Sequence, residues 1–295
     1  MTGISDTTLR GFPWNSVFLT APGVPQPVAH VPTMLTPEEQ RMLVWLAQHA
    51  WDGRGAIVDL GAFFGGSTAR LAYGAVQRGA KGPVHSYDRF EIQPELAEKW
   101  LFARGIPRFD GMDMLPASQA AMAGIGADIR FHKGDIMQMG WAEGTISLLH
   151  VDICKNPATT DHIARAFYPA LSVGALVVQQ DYLHFRTPWV IAQMELMRDS
   201  FEMIVPTEHH SVLFRCIAPV SEATLAKGRT QGMTDAQMKA LVLQAAARMP
   251  FRRAQELVLD SWFALDAKPN VRQGSQFAPV QRDPARYAAL LAQIS

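Results

Sequence analysis

The stretch Ala56-Ile-Val-Asp-Leu-Gly-Ala-Phe-Phe-Gly-Gly-Ser-Thr68 constrains this chain more than any other. A short apolar run rich in β-branched residues ends in an acid and a glycine. Gly65, Gly66, Ser67 and Thr68 then open an apolar helical pattern through Ala69, Leu71, Ala72 and Val76. The pattern predicts strand, tight turn, helix. Glycines let backbone approach a ligand closely, and the free N–H groups at a helix start suit a carboxylate or phosphate. The plainer alternative is a turn whose glycines serve packing alone.

A dinucleotide fingerprint would place glycines at 61, 63 and 66, but position 63 is Phe, which blocks the approach of a diphosphate. A cofactor without a diphosphate fits better. S-adenosylmethionine is one: its carboxylate can sit on the helix N-terminus, and its cations favour acids such as Asp59.

Charge and cysteine content narrow the partners. Twenty-seven basic and 27 acidic residues cancel, so no basic surplus draws nucleic acid. Cys154 and Cys216 make neither a disulfide framework nor a zinc spacing, which points to a reducing cytoplasm. No signal-peptide layout opens the chain, and no apolar run nears the roughly 20 residues that span a bilayer.

Residues 1–35 are rich in Pro and Gly, with Phe12, Trp14 and Phe18 among them, and predict an irregular arm that hugs the surface. Thr36-Pro-Glu-Glu39 is a capping signal for a helix to about Ala50, with Met42, Leu43, Trp45 and Leu46 facing inward. Val84-His-Ser-Tyr-Asp88 predicts a second strand. Asp88 falls at its C-terminal end, where an acid can accept both hydroxyl protons of an adenosine ribose. A helix from Pro94 to about Arg104 precedes an irregular insertion with Pro107, Gly111 and Pro116. Ile129-Arg-Phe-His-Lys-Gly-Asp135 restores the strand pattern; Asp135 can accept from an adenine amino group and Ile136 can cover the ring.

Thr145-Ile-Ser-Leu-Leu-His-Val151 is a fourth strand ending at Asp152, and a fifth over 175–180 ends at Asp181. Acids ending adjacent parallel strands converge on one crevice, so Asp152 and Asp181 can jointly bind a hard cation such as magnesium, completed by substrate and water oxygens. Lys155 can take a hydroxyl proton if a nearby cation and partial burial lower its pKa. His209 and His210 are adjacent and in a strand point to opposite faces, which argues against a joint ligand role.

In order and spacing, Val58-Asp-Leu-Gly-Ala-Phe-Phe-Gly-Gly-Ser-Thr68, Ser86-Tyr-Asp-Arg-Phe-Glu91, Gly134-Asp-Ile136, Leu149-His-Val-Asp152 and residues 168–182 resemble class I S-adenosylmethionine-dependent methyltransferases. The likeness is nearest to the macrocin O-methyltransferase-like branch, which methylates sugar hydroxyls in natural products using magnesium. It spans roughly residues 36–217. It implies a Rossmann-like α/β fold, a seven-stranded sheet with a terminal antiparallel hairpin from 201–206 and 210–216. It also implies a cofactor held by Asp59, Gly61, Ala62, Phe63, Gly65, Ser67, Thr68, Asp88, Arg89, Asp135, Ile136 and Asp152. The chain departs from that branch at Cys154 and Gln180, where the branch carries acids. Asp152-Ile-Cys-Lys155 is instead similar to the Asp-x-x-Lys arrangement of catechol and caffeoyl-CoA O-methyltransferases, in which the aspartate binds metal and the lysine is the base.

Beyond Pro219 the pattern turns helical. Thr234-Asp-Ala-Gln237 is a capping box, and Met238, Leu241, Val242, Ala245, Ala246 and Met249 mark an apolar face. A second helix runs through Leu257, Val258, Leu259, Trp262 and Phe263. This hairpin can cover the sheet, roof the substrate pocket, or dimerise into a homo-oligomer. The tail after Lys268 predicts an extended or loosely attached segment.

The expectation is therefore an arm (1–35), a cofactor-binding α/β domain (36–217) and a helical extension (218–295). It would be a cytoplasmic O-methyltransferase acting on a hydroxyl of a small polar molecule, a sugar or natural product, with Lys155 or Asp152 as base and no nucleic-acid or membrane partner. The alternatives are a non-catalytic cofactor binder with this fold and a nicotinamide oxidoreductase, which Phe63 argues against.

Overall fold

The computed structural model describes residues 23–80 and 82–294, so Phe12, Trp14 and Phe18 of the expected arm lie outside the described residues. Two compact units divide the chain: Met1–Met139 with Gly144–Leu149, and Gly140–Glu143 with His150–Ser295.

The first unit contains α1 (Gln26–Ala29), α2 (Pro37–Trp45) with a π turn over Leu46–Ala50, β1 (Ala56–Leu60), α3 (Gly66–Gln77), β2 (Val84–Asp88), α4 (Pro94–Trp100), α5 (Leu115–Met122), β3 (Ile129–Lys133) and most of β4 (Ile146–Val151). The predicted cap of α2 forms as a reciprocal box: Thr36 Oγ1 accepts from Glu39 N at 3.3 Å, and Glu39 Oε2 accepts from Thr36 N at 2.9 Å. Two orphan donors of the first turn are thereby satisfied. Met42, Leu43 and Leu46 are buried as expected, each contributing roughly 1.5–3 kcal/mol. Trp45 is only half-buried, and Val44 is buried beside it. Gly74 explains how closely α3 crosses this helix, since a Cβ there would lie 2.4 Å from Val44 O and 2.8 Å from Ala47 Cβ.

Two expectations in this unit need correction. Residues 23–35 are not wholly irregular: α1 forms, and Val28 and Val31 carry no exposed surface. The insertion read as irregular holds α5, for which Pro116 lies in the first turn, where its missing N–H removes no helical bond. Asp113 Oδ1 accepts from Leu115 N at 3.0 Å and starts that helix.

The second unit contains α6 (Pro157–Phe167), β5 (Leu171–Gln179), α7 (Pro188–Leu196), β6 (Phe201–Pro206), β7 (Val212–Cys216), α8 (Glu222–Lys227), α9 (Asp235–Ala247), α10 (Arg252–Ala267) and α11 (Pro284–Ile294). The strands form one mixed sheet in the order β3-β2-β1-β4-β5-β7-β6. β1, β2 and β3 pair in parallel, and β7 is antiparallel to both β5 and β6. This is the Rossmann-like α/β sheet expected from the sequence, with its terminal hairpin and added C-terminal helices. Parallel neighbours require crossover helices, which is why β1 and β2 are runs buried on both faces rather than alternating ones.

The C-terminal hairpin is covered within its own unit. α9 packs on both α10 and α7, burying Met238, Val242, Ala245 and Ala246, so the face that left dimerisation open is occupied inside the chain. Arg248 forks onto both oxygens of Glu195 on α7, whose side chain has no exposed surface. The tail is not loosely attached. Phe277 and Tyr287 are buried, α11 forms, and Asp260 accepts from Arg282 Nη2 at 2.6 Å and from the Tyr287 hydroxyl.

Candidate functional site

Three left-handed residues alternate through the turn after β1: Gly61 (φ +91°), Phe63 (φ +52°) and Gly65 (φ +93°). Gly61 and Ala62 donate their amides to Tyr87 O at 2.9 and 3.2 Å, which ties the turn to the end of β2. Phe63 donates to Asp88 Oδ2 at 2.9 Å, and Gly65 to Ala62 O at 2.8 Å. The turn therefore spends four of its own amides on its shape. The first turn of α3 has N–H groups without helical partners, but Gly66, Ser67 and Thr68 there are buried.

Behind the turn, Asp59 Oδ2 accepts from Ser67 Oγ at 2.7 Å and Thr68 Oγ1 at 2.5 Å. Asp59 and Thr68 carry no exposed surface. This corrects the expectation of direct contact for these two: they brace the helix start from inside. Gly65 is corrected in the same way. A Cβ there would lie 2.3 Å from Met122 Cε, and one at Gly66 2.5 Å from Pro32 O, so the close approach these glycines permit is to protein. Ser67 is buried with them, whereas Gly61 and Phe63 are half-buried.

Asp88 is the hinge of this unit's site. Oδ2 holds the Phe63 amide and Oδ1 accepts from Phe90 N at 2.8 Å, where Phe90 is itself left-handed at φ +51°. Burial pushes the Asp88 carboxyl above its ordinary value, while the Phe90 and Phe63 amides pull it back. The Arg89 amide also bears on this carboxylate, which is half-buried and keeps room to accept a ligand hydroxyl. At the end of β3, Asp135 Oδ1 accepts from Met137 N at 3.0 Å and Oδ2 pairs with Arg89 at 3.1 Å. Both partners of that pair are exposed, so it is worth about 0–1 kcal/mol and yields easily to a ligand. Ile136 is buried beside it.

The second unit brings Asp152, Lys155 and Asp181 together. Lys155 Nζ donates to Asp152 Oδ1 at 2.9 Å and to Asp181 Oδ2. The ammonium occupies the place between the carboxylates where the sequence predicts a magnesium ion. Among the described residues, no third His, Cys or acid completes a ligand set with the pair. The Cys154 thiol, at the position of the missing acid, is buried and pushed up to about 12, so it offers no thiolate. These residues do not fit a metal, which corrects that expectation.

The same geometry corrects Lys155 as the base. Burial alone would lower its pKa, but Asp152 and Asp181 outweigh burial and raise it above the ordinary lysine value. It stays an ammonium. Burial pushes Asp152 up to about 6 against the pull of Lys155, whereas at Asp181 the same burial is overcome by Lys155 and the carboxyl falls below its usual value. Two acids are pushed apart in this way, and Asp152 is the one whose value lies nearer neutral pH.

Sequence reasoning missed the polar surroundings of this cluster. Asp181 is left-handed at φ +64°, and its turn is closed by Thr187 Oγ1 donating to Asp181 O at 2.6 Å. Leu183 donates to His210 O at 2.8 Å, which sets the His210 ring 5.4 Å from His184. His210 thus lies in the turn before β7, not in the strand as predicted, and its companion is His184 rather than His209. Gln180 Oε1 and His210 Nδ1 are buried without a hydrogen-bond partner. Gln180 stood out in the sequence only as a departure.

The chain is similar to known proteins over part of its length. Among curated protein sequences, none matches the chain. The O-methyltransferase NovP is similar in structure at 16% identity and a TM-score of 0.43, over 63% of this chain and 82% of its own. An rRNA methylase from Streptococcus thermophilus gives 14% identity and 0.42, over 63% of this chain and 99% of its own. The S-adenosylhomocysteine-bound Podospora anserina methyltransferase PaMTH1 gives 14% and 0.40, over 82% of this chain and 85% of its own. Residues 58–182, from β1 through the residue after Asp181, match the family model of a methyltransferase domain.

Proposed function

We propose that the protein is an S-adenosylmethionine-dependent O-methyltransferase acting on a hydroxyl of a small polar molecule. The observation that carries the cofactor half is Asp88, a half-buried carboxylate at the end of β2 that clasps the turn after β1 and stands where it can accept from a ribose hydroxyl. Gly61 and Phe63, which are half-buried while Ala62 and the first turn of α3 are buried, would flank the amino-acid end, with Asp135, Arg89 and Ile136 at the adenine. The bound cofactor supplies an electrophilic methyl group.

The acceptor half rests on Asp152, Lys155 and Asp181. Asp152 accepts the hydroxyl proton, and the Lys155 ammonium stabilises the negative charge that then develops. Asp181 holds Lys155 in place. Gln180 and His210 support a polar acceptor, since a buried unpaired polar atom costs about 1–3 kcal/mol and a hydroxyl-rich ligand relieves it. Positioning of the oxygen and exclusion of water supply most of the rate gain.

The test has two stages. Titration calorimetry should give heat with S-adenosylhomocysteine, and radiolabelled methyl transfer should be found to at least one member of a panel of sugar and phenol acceptors. Asp152→Ala should then abolish transfer and leave cofactor affinity within about twofold. Unchanged turnover in that variant removes Asp152 from the mechanism; heat without transfer to any acceptor favours the non-catalytic reading.

A further inference from the structure

The loop that carries Lys155 is short and almost wholly accounted for. Ile153 O accepts from Lys155 N at 2.8 Å, and Asn156 O from Thr160 N at 3.1 Å, both local bonds. The two carbonyls between them are held from far away in sequence. Cys154 O accepts from Trp189 Nε1 at 2.7 Å, and Lys155 O accepts from the backbone N–H of Gly274, in the C-terminal tail, at 2.9 Å.

The tail is built to reach this loop. Gly274 is buried, and a Cβ there would stand 3.1 Å from Arg186 O and 3.4 Å from Lys155 O, so the tail backbone passes at close range. Asn156 Nδ2 donates to Gln273 Oε1 at 3.4 Å. Phe277 is buried with its ring 6.2 Å from that of Trp189, the residue that holds Cys154 O. Beyond it, Asp260 anchors the tail through Arg282 and Tyr287.

We infer that residues 273–277 are a positioning strap for Lys155, fixing the loop that holds its ammonium between Asp152 and Asp181. Gly274 and Phe277 touch no reacting atom and act through Lys155. That the lysine serves methyl transfer rests on the function proposed above; the seating of the strap does not, and its test uses neither cofactor nor acceptor.

In the wild-type full chain, hydrogen exchange should show residues 153–156 and 273–277 protected together, opening as one unit with the same denaturant dependence. Exchange of 273–277 at the rate of an unprotected peptide overturns the strap without any variant. Phe277→Ala should raise reductive methylation of Lys155, read by mass spectrometry, by roughly tenfold, as for a local opening eased by 1.4 kcal/mol. Lys99 and Lys227 should be unchanged, and Phe277→Leu should restore the wild-type rate. Gly274→Pro removes the N–H that holds Lys155 O, and Gln273 before it is already extended, as a residue before proline must be. This variant should expose Lys155 similarly. A rise shared by all lysines, or none at Lys155 in either variant, refutes the proposal.

Discussion

Asp88→Ala separates what this carboxylate does for the fold from what it does for a ligand. Its oxygens hold the amides of Phe63 at 2.9 Å and Phe90 at 2.8 Å, and both residues are left-handed. A side chain in that region costs about 1–2 kcal/mol per residue, so both conformations are imposed by their surroundings. Truncation leaves the Phe63 and Phe90 amides unpaired, together with that of the exposed Arg89, which water can satisfy. A buried unpaired donor costs about 1–3 kcal/mol. Phe90 is fully buried and takes the upper part of that range, whereas Phe63 is half-buried, reachable by water, and takes the lower. The sum is about 3 kcal/mol. Burial works the other way, because it raises the Asp88 pKa and its relief returns part of the loss, leaving about 2–3 kcal/mol. Urea unfolding followed by circular dichroism reads this directly. Asp88→Asn keeps one acceptor and should lose about half as much, yet turn an amide N–H toward a ribose hydroxyl and weaken S-adenosylhomocysteine at least about tenfold by calorimetry. An Asp88→Ala protein within about 0.5 kcal/mol of wild type would refute the clasp.

Two further outcomes follow from buried charge. Arg248→Met leaves the buried Glu195 carboxylate only the looser pair with Arg198 at 3.6 Å and should lower stability by about 2–4 kcal/mol, while Glu195→Leu with Arg248→Met should recover most of it; equal losses in both proteins would contradict the pairing. With Asp152 as the proposed base, methyl transfer needs it ionised, so the rate should fall as pH drops through about 6, the value to which burial pushes that carboxyl. Because Lys155 lowers the Asp152 pKa, Lys155→Ala should move this limb to higher pH; a shift to lower pH would reverse the assignment.

What the sequence made legible was what neighbours in the chain decide. The caps at Thr36 and Thr234 depend on partners three residues away, and both form as reciprocal boxes. The five strands ending near Asp59, Asp88, Asp135, Asp152 and Asp181 were likewise readable from short apolar runs. The misses share a cause, which is a distant partner. Pro116 reads as a breaker until Asp113 and the docking of Ser118 Oγ on Phe64 O, at 2.9 Å, show it inside a first turn. Gly65 and Gly66 announce a close approach but not that Met122 and Pro32 make it. The tail after Lys268 has little pattern of its own, and its order comes from Asp260 and from the loop at Lys155. Asp-x-x-Lys is visible in sequence; the second carboxylate that holds the lysine as an ammonium is not.

That second carboxylate also decides whether the cluster takes an external cation. Asp152 and Asp181 carry two negative charges, and the position that a third acid would fill is the buried thiol of Cys154. Lys155 returns one positive charge and occupies the space between the acids. A magnesium ion would have to displace the ammonium and then complete its octahedron with little besides water. The wild-type protein should therefore show the same melting temperature in magnesium chloride as in sodium chloride of equal ionic strength. Lys155→Met keeps the length of the side chain, removes the charge and leaves the two carboxylates facing each other. That variant should bind the cation, and at a concentration one hundred times its Kd the gain is about 2.7 kcal/mol, several degrees in melting temperature. Adding Asp152→Asn should cancel the gain. If wild type instead gained as much from magnesium as Lys155→Met, the ammonium would not be the cation this site is built for.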